Sequence, residues 1–130
     1  AEPLGPQAFA AALREPARLP VLRVRLHPAL RLLRLRHAAV SLWAAHHGHG
    51  EIAAIDWRAG EDALIARPAL DVEIRRLPRG AWAFLHALAD ARTLGEALNA
   101  ASADDDAFDA AAGLDILVHG GTAVALEHPR

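Results

Sequence analysis

The sequence contains no cysteine, no lysine and no methionine among its 130 residues. Without cysteine it has no disulfide, no thiolate nucleophile and no cysteine-based zinc site, so a reducing cytoplasm is the expected compartment. No apolar run approaches the roughly 18 residues of a membrane-spanning helix. No charged segment followed by an apolar core marks a secretory signal. The missing initiator methionine suggests a fragment or a processed product.

The charge is distributed unevenly along the chain. All 14 basic residues are arginine, which together with abundant alanine we attribute to genomic base composition. The formal net charge is −2, but residues 1–50 carry seven arginines against two glutamates. Residues 90–130 carry two arginines against eight acidic residues. The N-terminal part is therefore basic and the C-terminal part acidic.

The first 60 residues read as a linker followed by a β segment. Residues 1–17 are rich in proline and glycine, and we interpret them as a linker or the end of a missing N-terminal domain. Within residues 18–60, the runs Val21–Leu26 and Leu30–Arg36 alternate leucine or valine with arginine, as half-buried strands do. A phase slip at Leu32-Leu33 predicts a β-bulge. The expected elements are two strands, a short helix and a third short strand, at Val21–Leu26, Leu30–Arg36, Ala38–His46 and Ile52–Trp57.

Residues 61–126 follow the order strand, strand, helix, helix, helix, strand. The elements are expected at Ala63–Arg67, Val72–Leu77, Pro78–Asp90, Thr93–Ala101, Asp105–His119 and Thr122–Leu126, with a turn at Pro68–Asp71. Thr93 and Glu96 have the spacing of a capping box, and Asp104, Asp105 and Asp106 suit a helix N-terminus. Gly120 suits a left-handed helix cap. The sequence therefore predicts an α+β fold: a winged-helix-like unit with an appended Arg-rich β segment that extends its sheet.

Two resemblances bear on this prediction. Residues 61–126 resemble the PqqD-like winged helix, which recognises peptides in ribosomal-peptide biosynthesis. Across residues 15–126 the chain is similar to the C-terminal part of the HvfC/MbnC-like family, bacterial proteins described as DNA-binding domain proteins. The matching segments are RLHPALRLL (25–33), SLWAAH (41–46), LIARPALDVEIRRL (64–77) and AFLHALADARTLGEAL (83–98). Family members carry an additional helical N-terminal domain that this chain lacks.

The resemblance implies a partner protein that does no chemistry itself. Members of the family pair with a multinuclear iron oxidase that modifies cysteines of a precursor peptide. In PqqD-like domains the leader of that peptide adds as a strand to the sheet edge and packs against the third helix. The resemblance thus implies a peptide-binding groove between Val72–Leu77 and Asp105–His119. The residues expected to line it are Val72, Ile74, Arg76, Phe108, Ala112 and Asp115.

Arginines of the β segment support a second hypothesis, a DNA-binding transcriptional regulator. The stripe consists of Arg23, Arg25, Arg31, Arg34 and Arg36, which are suited to phosphate contacts. Against this hypothesis, the predicted third helix carries five aspartates and no arginine, although that helix should enter the major groove. A solvated strand face, or a surface for an acidic protein, would explain the stripe equally well. A structural oligomerisation domain is the third class.

No residue pattern indicates catalysis or a cofactor. His46, His47 and His49 invite a metal hypothesis, but neighbouring histidines point apart and a closed site needs three or four convergent ligands. We therefore expect a solvated loop and no metal. There is no G-x-S-x-G, no G-x-G-x-x-G and no P-loop. The sequence predicts a cytoplasmic, non-enzymatic protein that binds a precursor peptide and an iron-dependent modifying enzyme, without a cofactor or a membrane partner.

Overall fold

The computed structural model describes residues 3–48, 56, 58–66 and 72–129. The helices are α1 (Pro6–Leu13), α2 (Ala39–His46), α3 (Ala81–Ala89), α4 (Leu94–Asp104) and α5 (Ala110–His119), with a 3₁₀ helix at Pro16–Val21. The strands are β1 (Arg23–Leu26), β2 (Arg31–Leu35), β3 (Glu61–Ala66), β4 (Glu73–Leu77) and β5 (Ala123–Glu127). The protein has the predicted α+β fold, and its second half has the predicted order of elements. The predicted turn Pro68–Asp71 lies outside the described residues, as does the predicted strand Ile52–Trp57 apart from Asp56.

The strands form two antiparallel sheets. One has the order β2-β3-β4, so the appended segment extends the sheet as expected. The other pairs β1 with β5, with Val24 opposite Leu126. The closing strand was expected to return to the sheet of the winged-helix-like unit, and it joins β1 instead. This pairing brings buried Val24 and Ala123 into one core.

The predicted β-bulge at Leu32-Leu33 is wrong. Leu32 lies opposite Leu64 and Leu33 opposite Ala63 without a break in register. Both Leu64 and Ala63 are buried, although they point to opposite faces of β3. Leu32 packs against the core, whereas Leu33 points to the opposite face of β2 and stays 37% exposed, so the adjacent leucines need no extra residue between them.

One hydrophobic core joins residues of α1, of all five strands and of α3, α4 and α5. Its most deeply buried large side chains include Leu64 of β3, Phe84 and Leu85 of α3, and Leu117 of α5. Phe9 of α1 is also buried in this core, so residues 3–17 pack against it where the sequence suggested a linker. The division into units at 1–17, 18–60 and 61–126 stays a prediction. Among the described residues, no helix combines the length and the apolar composition needed to cross a membrane.

The capping box at Thr93 is confirmed. The Thr93 Oγ1 accepts a hydrogen bond from the Glu96 N–H at 3.3 Å, and the Glu96 carboxylate accepts one from the Thr93 N–H at 3.0 Å. These bonds lower the pKa of the Glu96 carboxyl, the largest cause being the backbone N–H of Thr93. Burial opposes this shift, while the positive charges of Arg92 and Arg23 add to it.

The other helix ends differ from the prediction. Helix α3 begins at Ala81 rather than Pro78, because Gly80 before it is left-handed at φ 82°. Helix α5 begins five residues later than predicted, because Asp109 provides its N-cap by accepting from the Ala111 N–H at 2.9 Å. The left-handed residue after α5 is Gly121 at φ 67°, not Gly120.

The aspartate run therefore has a different role from the one predicted. Asp104 ends α4 instead of starting the next helix. Asp105 accepts from the Ala107 N–H at 2.9 Å within the α4–α5 connection. Neither carboxylate lies at the N-terminus of α5, where both were expected to interact with the helix dipole.

Candidate functional site

Strand β4 is an edge strand of the three-stranded sheet. Within the described ranges it pairs with β3 alone, in a register that places Ile74 opposite Ile65 and Leu77 opposite Asp62. Two apolar side chains at this edge are open to solvent: Val72 is 59% exposed and Ile74 is 39% exposed. An edge strand offers unpaired N–H and C=O groups to an added strand, so β4 has the features of a β-augmentation site.

The alternation of side chains along β4 divides its residues between two faces of the sheet. Leu77 joins Leu64 in the core on the side of α3. Arg76 points to the opposite side, where its Nε donates to the Glu61 carboxylate at 2.9 Å. Val72 and Ile74 share the face of Arg76, because side chains two residues apart point the same way.

Helix α2 covers that second face of the sheet through Glu61. The Glu61 side chain is only 1% exposed, and it accepts hydrogen bonds from the N–H and the hydroxyl of Ser41 in α2. Together with Arg76, these donors satisfy a carboxylate that burial would otherwise penalise. The network fixes the position of α2 next to β3 and β4.

The predicted groove residues of the third helix lie on the α5 side of the sheet, opposite the face of Val72 and Ile74. Phe108 precedes α5 and packs against Phe84, with 5.7 Å between ring centroids. Its ring is wedged between two glycines, since a Cβ on Gly80 or Gly113 would lie 2.8 or 2.7 Å from it. Phe108 is therefore a packing residue.

Ala112 and Asp115 follow Phe108 on α5. Ala112 is half-buried, whereas Asp115 is exposed. The Asp115 carboxylate pairs with the Nδ1 of His119 at 2.8 Å, one helical turn further on. Of the six predicted residues, Arg76 and Asp115 line one cleft between β4 and α5, whereas Val72, Ile74, Phe108 and Ala112 are not part of its lining.

This cleft of about 220 Å³ separates β4 from the C-terminal end of α5. It is lined from the sheet by Leu64, Arg75, Arg76 and Leu77, and from the helix by Asp115, Ile116 and His119. The backbone next to this cleft is the edge of β4. A strand added there would place alternate side chains in the cleft and beside Ile74 on the opposite face.

Arg75 ties the strand to the helix at this cleft. Its Nη1 donates to the Gly120 carbonyl at 2.6 Å, and its Nη2 and Nε donate to Glu73 at 2.7 and 3.0 Å. Arg75, Ile116 and His119 were not among the residues predicted to line the groove. The period-two alternation of β4 separates Arg75 from Arg76, but only the packed structure decides which of them faces α5.

The five arginines of the predicted stripe do not form one surface. Arg34 is exposed but held in place: its guanidinium lies 4.3 Å from the Trp82 ring centroid and pairs with Asp104 at 2.6 Å and Asp62 at 3.3 Å. The hydrogen bond to Asp104 is the largest cause that raises the pKa of Arg34. Arg31 points to the opposite face of β2 from Arg34. Together with Arg23, it lines a different cleft, between β1 and β2.

Of the three histidines considered as metal ligands, His47 has local partners. His47 Nδ1 lies 2.8 Å from the Trp43 carbonyl, and its ring stacks on Trp43 at 4.3 Å. His46 ends the helix, and His49 lies outside the described residues. Across the part of the chain that the structure describes, no group of three or more potential ligands could hold a metal ion.

The chain was compared with protein-family models, with curated proteins and with solved structures, and none of the three comparisons found a match.

Proposed function

We propose that this protein is a non-catalytic recognition subunit that binds an extended segment of a ribosomal precursor peptide along β4. It presents that segment to an iron-dependent modifying enzyme in the cytoplasm. The observation that carries the proposal is the edge of β4 that no described strand covers, with exposed Val72 and Ile74 on one face and a cleft against α5 on the other. The iron-dependent partner rests on the resemblance of residues 15–126 to the HvfC/MbnC-like family.

Strand addition explains why the two groups of residues lie on opposite faces. Main-chain hydrogen bonds to β4 would supply affinity without regard to sequence. One set of alternate peptide side chains would contact Val72 and Ile74, and the other set would enter the cleft next to Arg75 and Ile116. An extended peptide with apolar residues at alternate positions is therefore the expected ligand.

A displayed library of 12-residue peptides tests the binding edge directly. Peptides enriched on the wild-type protein are titrated against Ile74→Pro and against Leu33→Pro, which places the same residue on β2 at the far edge of the sheet. Circular dichroism and thermal unfolding verify that both variants fold. We expect Ile74→Pro to weaken binding by about tenfold or more, equivalent to about 1.4 kcal/mol, and Leu33→Pro to leave it unchanged. Equal affinity for all three proteins would refute binding at β4.

A pull-down from a lysate of the source organism tests the partner, with wild-type and Ile74→Pro baits and with and without nuclease. A cysteine-containing peptide or an iron oxidase that survives nuclease and is retained only by the wild-type bait supports the proposal. DNA as the sole bound material would replace it with the regulator hypothesis. A concentration-dependent mass with neither ligand would replace it with the oligomerisation hypothesis.

The positions of the arginines in the structure give the regulator hypothesis little support. Arg34 is neutralised by two aspartates, and Arg31 points away from it. Helix α5 carries Asp115 and no arginine. A surface that tracks a phosphate backbone needs a contiguous row of cations, and the described arginines are divided among several faces.

A further inference from the structure

The cleft between β1 and β2 is distinct from the β4 edge. The two strands are consecutive in the chain but belong to different sheets, because β1 pairs with β5 and β2 with β3. The connection from His27 to Leu30 turns the chain, and the two strands then leave a space of about 610 Å³ between them. The end of α3 closes this space with Leu88, Ala89 and Ala91. Pockets of this volume typically hold small molecules.

Three arginines line the cleft, and two of them are held by uncharged partners. Arg23 Nε donates to the Ala91 carbonyl at 2.9 Å. Arg31 Nη1 donates to the carbonyls of Pro28 and Leu30, both at 2.8 Å. A carbonyl fixes the position of a guanidinium but leaves its positive charge in place.

Carboxylates neutralise only part of this charge. Glu127 pairs with Arg25 at 3.0 Å. Among the described residues, no carboxylate lies within ion-pair distance of Arg23 or Arg31. The positive charge of Arg23 does help to lower the pKa of Glu96 from a greater distance. The cleft therefore has a positive excess at its rim.

The floor of the cleft is apolar. Leu26, Leu30 and Leu32 line it from the strands and are only half-buried, and buried Val24 and Leu88 lie beneath them. An inorganic anion would leave this leucine surface exposed to water, and a hydrocarbon would leave the arginines unused. A ligand with both an anionic group and an apolar body would pair with the arginines and cover the leucine surface.

We propose that the cleft between β1 and β2 binds a carboxylate- or phosphate-bearing molecule with an apolar body. Arg23 and Arg31 contact its anionic group, while the leucines of the floor contact the body. The site does not depend on peptide binding at β4, which is at the other edge of the β2-β3-β4 sheet.

Isothermal titration with four soluble probes tests this pairing of charge and apolar surface. The probes are decanoate and decyl phosphate below their micelle concentrations, decanol as the uncharged analogue, and inorganic phosphate as the anion without a body. We expect saturable binding of one decanoate or decyl phosphate per chain, and binding of decanol and inorganic phosphate that is weaker by at least about tenfold. Each methylene removed from the anionic probe should weaken binding by up to about fourfold. Decanol binding as tightly as the anions, or no saturable binding of either anion, would overturn the proposal.

Variants place the anion on the two arginines. Arg23→Gln and Arg31→Gln should each weaken decanoate or decyl phosphate by about tenfold, whereas Arg36→Gln, with the same loss of charge outside the cleft, should leave it unchanged. Equal losses in all three would indicate general charge attraction and refute the site. The chain-length series on the wild-type protein remains decisive if a variant does not fold.

Vesicles distinguish a free ligand from a lipid surface. If the protein binds phosphatidylglycerol vesicles but none of the soluble probes, a membrane surface rather than an enclosed ligand would be the partner, and the proposal fails. Saturable binding of the soluble probes that persists when phosphatidylcholine vesicles are added supports the proposal.

Discussion

Because the Phe108 side chain packs against Gly80 and Gly113, the packing decides whether Gly113→Ala raises or lowers the free energy of unfolding. In an isolated helix, Gly113→Ala would stabilise α5 by about 1 kcal/mol, because glycine is a poor helix former. In this protein the new Cβ would lie 2.7 Å from Phe108 Cζ, 3.3 Å from Phe108 Cε1 and 3.4 Å from the Phe84 ring. The Phe108 ring has little room to move, because Gly80 lies against the base of the side chain at Cβ, Cγ and Cδ1 while Gly113 lies against its tip.

The magnitudes follow from these two opposing terms. Overpacking of a filled site costs about 1–3 kcal/mol, so Gly113→Ala should lower the free energy of unfolding by about 1 kcal/mol net. Phe108→Ala should lower it by about 2–3 kcal/mol, at or below the lower end for aromatic truncation because the side chain is only half-buried. Once Phe108 is alanine, Gly113→Ala should instead raise the free energy of unfolding by about 1 kcal/mol. The coupling between the two sites is then about 2 kcal/mol.

Urea denaturation of the four proteins in this cycle measures the coupling. Ala112→Gly, one position earlier in α5, calibrates the helix-propensity term and should cost about 1 kcal/mol. If Gly113→Ala stabilises the wild-type protein as much as it stabilises Phe108→Ala, the coupling is zero. The wedge between Gly80 and Gly113 would then be refuted, and Phe108 would again be available to contact a peptide.

Three further predictions concern stability and titration. Ala91 is left-handed at φ 61°, so Ala91→Gly should raise the free energy of unfolding by about 0.5 kcal/mol. The control Ala83→Gly, inside α3, should lower it by about 1 kcal/mol. Thermal unfolding of both variants checks the difference in sign. Ser41→Ala removes a hydrogen bond to the buried Glu61 carboxylate and should cost about 1.5–3 kcal/mol in urea denaturation, and a cost near zero would contradict the role of this contact. Folding lowers the pKa of Glu96, so its stabilisation is complete above the unfolded-state pKa and is lost as pH falls through the folded-state pKa. An NMR titration should find that carboxyl below the usual glutamate range, and an ordinary value would contradict the capping box.

Local signals in the sequence predicted the elements, while partners and faces needed the packed structure. Thr93 and Glu96 reveal the start of α4 because a capping box depends on residues three apart. The alternation of β4 shows that Ile74 and Arg75 point to opposite faces, but it does not show which face α5 covers. The aspartate run was ambiguous for the same reason, since Asp104 ends one helix and pairs with an arginine 70 residues away.

The candidate site was predicted at the level of the strand and only in part at the level of its side chains, since Arg76 and Asp115 line the cleft and Phe108 does not. Val72 and Ile74 are exposed at an edge as expected. Phe108 was expected to line the groove as an aromatic residue next to an amphipathic helix, but a packing residue has the same two features. Neither Gly80 nor Gly113 looked informative in the sequence, yet their missing Cβ atoms allow the ring to pack where it does.

The pairing of β1 with β5 has a consequence for the order of folding. Most of the chain lies between Arg23 and Glu127, so this sheet closes one of the longest loops in the fold. During synthesis β1 leaves the ribosome long before its partner exists, and its edge stays unpaired until β5 has been synthesised. Arg23 and Arg25 alternate with the apolar residues of this waiting strand, and charged side chains at an open edge disfavour pairing with the wrong strand. The arginines of β1 would therefore protect the nascent chain from misassembly before they have any ligand to bind.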